Sequence, residues 1–297
     1  MHVARPLLDA AEIATLASEA YATVDQALHR PDVQYRHAGD MRSIYLGQGL
    51  DFEESRLYQR GDDLRSMDWR TTARTGKAYV KVFREEHQAA VHIVVDRGAS
   101  MRFATRTRLK VTQAARLAVL AAFAALRKGA NVGGSIVGPE RIVIPPASGQ
   151  AGALRLIEAV VASAPPLADA HSDSGLWATL EMLESALARG TKLIVISDFY
   201  GFSPGSSDIL TRLAYHNEVV PILIVDPSEL VLPDLGAAFF RALADGEVAM
   251  VNTSDASLRR HYADRQQSAQ QALRDFFSAL GIQLQVCPTT VERLPYL

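Results

Sequence analysis

Two stretches constrain the fold of this chain more than anything else in it. They are Ala90-Val91-His92-Ile93-Val94-Val95-Asp96 and Lys192-Leu193-Ile194-Val195-Ile196-Ser197-Asp198, each a nearly unbroken apolar run ending in a carboxylate. A strand with one wet face alternates apolar and polar residues, whereas a run apolar at almost every position suits a strand covered on both sides, as in a parallel sheet between helices. A third such run, Val219 to Val225, ends at Asp226. Helical patterns lie between these runs: Arg108 to Lys128, closed by Gly129 as a C-cap, then Gly152 to Ala162, Leu176 to Ala188 and Asp208 to His216. Val132 to Val137 adds a strand, and Arg141 to Ile144 a short one after the Gly138-Pro139 turn. Strands alternating with helices predict an α/β fold with a mostly parallel sheet flanked by helices. Ligands of such sheets sit beyond the carboxyl ends of the strands where strand order switches, which puts Asp96 and Asp198 first among candidate site residues.

The flanks differ in character. Asp9 to His29 reads as a helix, with Ile13, Leu16, Ala20, Val24 and Leu28 at helical spacing, Asp9 as N-cap and Pro31 as the stop. Pro31 to Glu86 is rich in Arg, Asp and Gly, with short strand-like pieces at Ser43 to Leu46 and Ala78 to Arg84, and reads as an appendage. The tail predicts a hairpin, Phe239 to Leu243 with Val248 to Asn252, around Asp245-Gly246. A helix from Asp255 to Leu280 and a last strand from Ile282 to Val286 follow. The organisation expected is residues 1–88 as N-terminal helix plus charged appendage, and 89–297 as the α/β domain with its C-terminal hairpin, helix and strand.

Composition narrows the function classes. With a formal net charge of -2, nothing calls for nucleic acid or an anionic membrane as partner. The single cysteine, Cys287, excludes an internal disulfide and cysteine-based zinc clusters, and its apolar surroundings read as a buried small side chain. Residues 1–9 show no signal peptide. The longest helical apolar run, Leu117 to Leu126, falls short of the ~20 residues that span a bilayer. The expectation is a cytoplasmic protein without membrane insertion.

Three groups of residues invite chemistry. Asp96-Arg97-Gly98-Ala99-Ser100-Met101 places a carboxylate and a hydroxyl on a tight turn after a buried strand, the oxygen ligands that Mg²⁺ favours. Asp198 and Ser174, the latter in the polar stretch His171-Ser172-Asp173-Ser174, would add further oxygens. Strand-end aspartates also cap turns by accepting backbone N–H groups, and taken alone the residues favour that reading. The second group, Arg56 to Arg74, alternates charges around Gly61 and Trp69. It reads either as a contact surface or acidic site built from Asp62, Asp63 and Asp68, or as a loop held by Arg–carboxylate pairs, and the number of Arg partners favours the pairs. The third, Arg102, Arg106, Arg108 and Lys110, reads as a solvated helix start more readily than as an anion site. Gly98-Ala99-Ser100-Met101-Arg102 lacks the second Gly of a nucleophile elbow. There is no P-loop and no dinucleotide fingerprint.

Arg56-x-Tyr58-x-x-Gly61-Asp62-Asp63-x-Arg65-x-x-Asp68-Trp69, followed by Ala73-Arg74, resembles the signature of the bacterial family called domain of unknown function 58. Gly47-Gln48-Gly49 upstream, and Asp226-Pro227-Ser228-Glu229, Pro233 and Asp245-Gly246-Glu247 downstream, fit its order. The resemblance runs from about Arg42 to the last strand and implies a von Willebrand factor A-like, Rossmann-like domain. That fold carries a metal-ion-dependent adhesion site whose first motif is D-x-S-x-S. Asp96 and Ser100 match it, Gly98 replaces the middle Ser, Ser174 falls near the place of a Thr, and Asp198 matches the later Asp. The implied cofactor is Mg²⁺ or Mn²⁺. The implied role is a non-enzymatic adaptor acting with a MoxR-type AAA+ ATPase, or with other von Willebrand factor A-like proteins, in a chaperone-like assembly. Two further expectations compete with it: a Mg²⁺-dependent hydrolase using Asp96, Asp198 and either Asp62 or Asp63, and a metal-free scaffold, which Gly98 favours.

Overall fold

The computed structural model describes residues 6–28, 51–84, 89–103, 107–163, 175–241, 247–292 and 294. In chain order the elements are α1 (Ala10–Leu28), β1 (Asp51–Leu57), α2 (Trp69–Thr75), β2 (Tyr79–Arg84), β3 (Ala90–Asp96), α3 (Lys110–Arg127), β4 (Asn131–Val137), β5 (Ile142–Ala147), α4 (Gly149–Val161), α5 (Leu176–Ala186), β6 (Lys192–Ser197), α6 (Pro204–His216), β7 (Glu218–Val225), α7 (Pro227–Leu230), β8 (Ala237–Arg241), β9 (Val248–Asn252), α8 (Ala256–Ala279) and β10 (Gln285–Pro288). The chain divides into two compact units, one of residues 1–29 with 89–297 and one of residues 30–88.

The larger unit is an α/β layer structure. Its six-stranded sheet has the order β10-β7-β6-β3-β4-β5, parallel throughout except for β5, which runs antiparallel to β4. β3 is buried at every position from Val91 to Asp96, and its alternate side chains feed two cores. Val91, Ile93 and Val95 pack on the face covered by α1, α3 and α4. Val94 points into the second core with Leu180 of α5, Leu213 of α6 and Phe277 of α8. α3 is correspondingly lined with Ala and Leu that are almost wholly buried, and Gly129 closes it at φ +71°.

The grouping of the N-terminal helix with the appendage is corrected here. α1 buries Leu16 and Ala20 in the core shared with α3, Glu12 pairs with Arg116 of α3 at 2.8 Å, and Leu7 donates its N–H to Val161 O. An amphipathic helix carries no mark of which element covers its apolar stripe, so chain order misassigned it. Asp9 caps it by accepting Glu12 N–H at 2.8 Å. The last strand also lies further along than its apolar pattern suggested, at Gln285–Pro288, because its register on β7 pairs Pro288 with Val225. The hairpin strands pair Phe239 with Met250, while the Asp245-Gly246 turn lies outside the described residues, as does the expected strand at 43–46.

The smaller unit pairs β1 antiparallel with β2 and carries a 3-10 turn, Leu64–Ser66, and α2 between them. Among the described residues no helix is long and apolar enough to cross a membrane.

Close backbone approach fixes α4 on the β4–β5 edge. A Cβ added at Gly152 would lie 2.5 Å from both Ala147 O and Val132 O, which are backbone atoms of paired strand residues with no freedom to yield. Gly152→Ala is therefore expected to destabilise the protein by roughly 1–3 kcal/mol through overpacking. Urea unfolding checks this, and an unchanged midpoint would mean the helix has room that this geometry denies.

Candidate functional site

The crossover from β3 to β4 runs through α3 on one face, and that from β6 to β7 through α6 on the other. Strand order therefore switches between β3 and β6, which opens a crevice at their carboxyl ends. Asp96 ends β3 and Asp198 follows β6, so both stand there.

Asp96 is 1% exposed. Its Oδ1 accepts Gly98 N–H at 2.8 Å and its Oδ2 accepts the Ser197 hydroxyl at 2.6 Å. Burial, and next the charge of Asp198, push its pKa from 3.8 to about 7 against these hydrogen bonds. Ser197 Oγ in turn accepts Phe199 N–H at 2.9 Å. Phe199 is the one non-glycine residue with positive φ among the described residues, at 51°. That left-handed backbone carries a steric cost of roughly 1–2 kcal/mol, held in place by the ring, which is buried edge-on against Phe277 at 5.8 Å.

The centre of the crevice is a cation from the chain itself. Lys110, in the first turn of α3, is among the largest fully buried side chains of the described residues. Its ammonium donates to Asp198 Oδ2 at 2.8 Å and to Glu229 Oε1 at 2.5 Å. Burial works against its charge, but Asp198 and Glu229 outweigh it and hold the pKa above its ordinary value. Glu229 is fixed by the capping box of α7, where Glu229 Oε2 accepts Asp226 N–H at 2.9 Å and Asp226 Oδ1 accepts Ser228 N–H at 3.1 Å. Asp226, fully buried, also accepts the Thr289 hydroxyl beyond β10 at 2.9 Å. The expected solvated helix start is thus corrected at Lys110. Arg108 is held as well, bonding Gln113 Oε1, Val291 O and Glu292 Oε1. Arg106 lies outside the described residues.

Of the four residues named as metal ligands, Asp96, Ser100 and Asp198 gather at this end of the sheet, and Ser174 lies outside the described residues. Ser100 opens a 3-10 turn, Ser100–Arg102, and is buried. The carboxylate donors of this set, among the described residues, are already engaged. Both Asp96 oxygens are engaged, Gly98 supplies only its N–H, and the Lys110 ammonium stands on the Asp198 carboxylate. Among the described residues no group of three acidic, imidazole or thiol side chains is arranged to hold a metal ion. Cys287 is buried, and burial raises its thiol pKa.

The charged signature forms the smaller unit, and its acids serve it locally. Arg56 grips Asp62 through both nitrogens, at 2.8 and 2.6 Å, and Asp62 also accepts Gln59 N–H, with Gly61 at φ +112° between them. The Arg56 hydrogen bond comes first among the causes holding Asp62 below the usual carboxylate range. Asp63 caps the 3-10 turn through Arg65 N–H. Asp68 caps α2 through Arg70 and Thr71 N–H and accepts the hydroxyls of Ser55 at 2.5 Å and Thr71 at 2.7 Å. Those bonds, Ser55 first, hold it far below the usual range. Tyr58 donates its N–H to Ala78 O. Of the signature residues, Gly61, Asp63, Arg65, Trp69, Ala73 and Arg74 are exposed, Trp69 at 68%.

Sequence reasoning missed Lys110 and Glu229 as site residues. The D-x-x-E spacing of Asp226 and Glu229 is the signature of a capping box, but nothing local announces that Glu229 meets a lysine 119 positions earlier. Removing that lysine strands the nearly buried Asp198 carboxylate and the partly exposed Glu229 carboxylate. Lys110→Met is expected to lose about 3–5 kcal/mol of stability, and Glu229→Gln, at a partly exposed position, much less. Equal urea midpoints for the two variants would contradict this arrangement.

A second prediction concerns pH. His92, buried in β3 with Nε2 2.9 Å from Ser135 Oγ, is held by desolvation at about 4 instead of 6.5. Its contribution to stability is present above pH 6.5 and lost as pH falls toward 4, because only the unfolded chain takes up the proton. Asp96 has the opposite sign: its contribution is full below about pH 3.8 and lost as pH rises through about 7. The two oppose each other over one window. Relative to the parent, Asp96→Asn should gain stability with rising pH between 4 and 6.5, and His92→Gln should lose it. Parallel stability–pH curves for all three proteins would show that neither group is perturbed.

The chain matches the family described as Protein of unknown function DUF58 over residues 54–272. It is 30% identical over 260 residues to the Uncharacterized protein Rv1480 of Mycobacterium tuberculosis and the Uncharacterized protein Mb1516 of Mycobacterium bovis, covering 86% of this chain and 76% of each relative. Among solved structures, the conserved hypothetical protein BatB from Bacteroides thetaiotaomicron shares 16% identity at a TM-score of 0.40, over 65% of this chain and 98% of that one. An aerotolerance-related membrane protein from Bacteroides fragilis shares 16% at 0.39, over 64% and 99%. The family match spans most of the chain and carries the Arg56–Arg74 signature whole, and this protein belongs to the DUF58 family.

Proposed function

We propose that this protein is a non-catalytic binding module of von Willebrand factor A-like type, whose working face is the carboxyl end of its sheet. The observation that carries this reading is the seating of Lys110 between Asp198 and Glu229, beside an Asp96 whose two oxygens are both engaged. A reaction centre needs a group free to attack, or to exchange a proton with a substrate within about 2.6–3.2 Å. Here the buried polar groups face one another. In an adhesion-type site a divalent ion bridges the carboxylates of protein and partner. In this protein the lysine supplies the positive charge from within the chain, and the site is metal-free.

The partner we propose is a MoxR-type AAA+ ATPase, alone or with other von Willebrand factor A-like proteins, in a chaperone-like assembly in the cytoplasm. Support comes from family membership and from the Asp96, Ser100 and Asp198 placement at the switch point. The test has two arms. Purified with a MoxR-type ATPase from the same genome, the protein is expected to form a stable complex and to change the rate of ATP hydrolysis; failure of both sinks the partnership. Calorimetric titration of EDTA-treated protein with Mg²⁺ and Mn²⁺ is expected to give no saturable heat. Saturable binding that Asp96→Ala abolishes would restore the metal and remove the lysine from its role.

A further inference from the structure

Beside the strand-end cluster lies a groove of about 620 Å³, within the size range of ligand-binding pockets. Its walls come from the turn after β3, from α7 and the segment following it, from the β8–β9 hairpin and from α8. The lining is mostly apolar, including Phe103, Leu235, Phe240, Val251 and Leu258.

Two charged side chains reach this groove, and their states differ. Glu229 has both oxygens engaged, one by Lys110 and the other by Asp226 N–H. Arg102 has no such partners. Its Nε and Nη1 are shut off from solvent without a hydrogen bond among the described residues, while the side chain as a whole is half-buried and lines the groove. The neighbouring Arg97 is held by the carbonyls of Ala159, Ala162 and Ser163, and it adds repulsion rather than relief. A buried donor without a partner is destabilising, and more so when charged. A carboxylate arriving in the groove would give this cation a charge-assisted partner.

The surroundings favour a large partner over a small acid. The hairpin turns Phe240 and Val251 into the groove, while Phe239 and Met250, paired across its other face, stand 75% and 67% exposed. Leu235 at 62% and Val248 at 55% extend the apolar surface. A two-stranded ribbon apolar on both faces and partly uncovered marks a protein contact.

We infer that this groove docks an apolar polypeptide segment bearing a carboxylate, an Asp or Glu side chain or a chain terminus, with Arg102 as the residue that receives the acid. The inference rests on the binding-module reading and names the chemistry its partner presents.

The test is selection from a phage-displayed library of random dodecapeptides on the full-length protein. Enriched peptides are expected to carry Asp or Glu flanked by Leu, Ile or Phe. Arg102→Gln should weaken binding of synthetic copies of those peptides at least tenfold while leaving the melting temperature unchanged or raised, since it removes a half-buried cation with two unpartnered nitrogens. Leu235→Glu, at an exposed position, should also abolish binding by placing an acid on the groove wall. No enrichment, enrichment without acids, or affinities indifferent to Arg102→Gln would overturn the inference. Retention of dodecanoate in native mass spectra without peptide enrichment would overturn it in favour of a small amphiphile. Acid-dependent peptide binding with no association to the ATPase would leave the groove standing and remove only the proposed ATPase partner.

Discussion

The Lys110 ammonium is the point on which the carboxyl end of the sheet is organised. One bond reaches the loop after β6 through Asp198, and the other reaches α7 through Glu229. From Glu229 the network continues through the Asp226 cap to Thr289 beyond β10. From the β6 end it continues through Ser197 to Asp96 at the end of β3. These groups tie together the ends of β10, β7, β6 and β3, which are successive strands of the sheet. Backbone ladders fix the strands laterally but leave the loops beyond them free. Here the loops are held by side chains whose charges leave them no better place to go.

Such a network is an expensive way to hold loops. Burying an ammonium and its acids sacrifices hydration that their mutual attraction only partly returns, and a well-packed apolar substitute is often as stable or more so. What the ionic arrangement provides is direction: each bond fixes an atom at about 2.5–2.9 Å, where an apolar contact would tolerate sliding. The strained Phe199 backbone fits the same picture, since its N–H is bound to Ser197 and its ring is anchored in the second core. On the binding-module proposal, side chains held in this way would need little further ordering on association.

The elements were legible where physics is local. Apolar runs announced β3, β6 and β7, Gly129 announced the end of α3, and Asp9 announced the start of α1. Two matters were not local. The stripe of α1 says that it is covered, not by what, and its cover is α3, about a hundred positions further on. Lys110 at a helix start looks like one cation among several; only convergence with residues 198 and 229 makes it the buried one. The charged signature was ambiguous for a related reason. Alternating Arg and Asp suits an acidic site as well as a braced loop, and only the distances from Arg56 to Asp62 and from Asp68 to Ser55 and Thr71 show that these acids brace.

Asp96 carries the last step of the argument, because a carboxyl raised to about 7 is the kind of perturbation that marks active sites. The mark identifies a group made energetically uncomfortable, and chemistry additionally requires that a substrate reach it. Asp96 is 1% exposed, with one oxygen on Gly98 N–H and the other on the Ser197 hydroxyl. Its perturbation follows from being enclosed with Asp198 at the end of a buried strand. In the same neighbourhood a cation, Arg102, has two enclosed nitrogens without partners among the described residues and lines an apolar groove. A buried acid closed to substrate and a cation beside an apolar surface are the features on which the binding-module proposal rests.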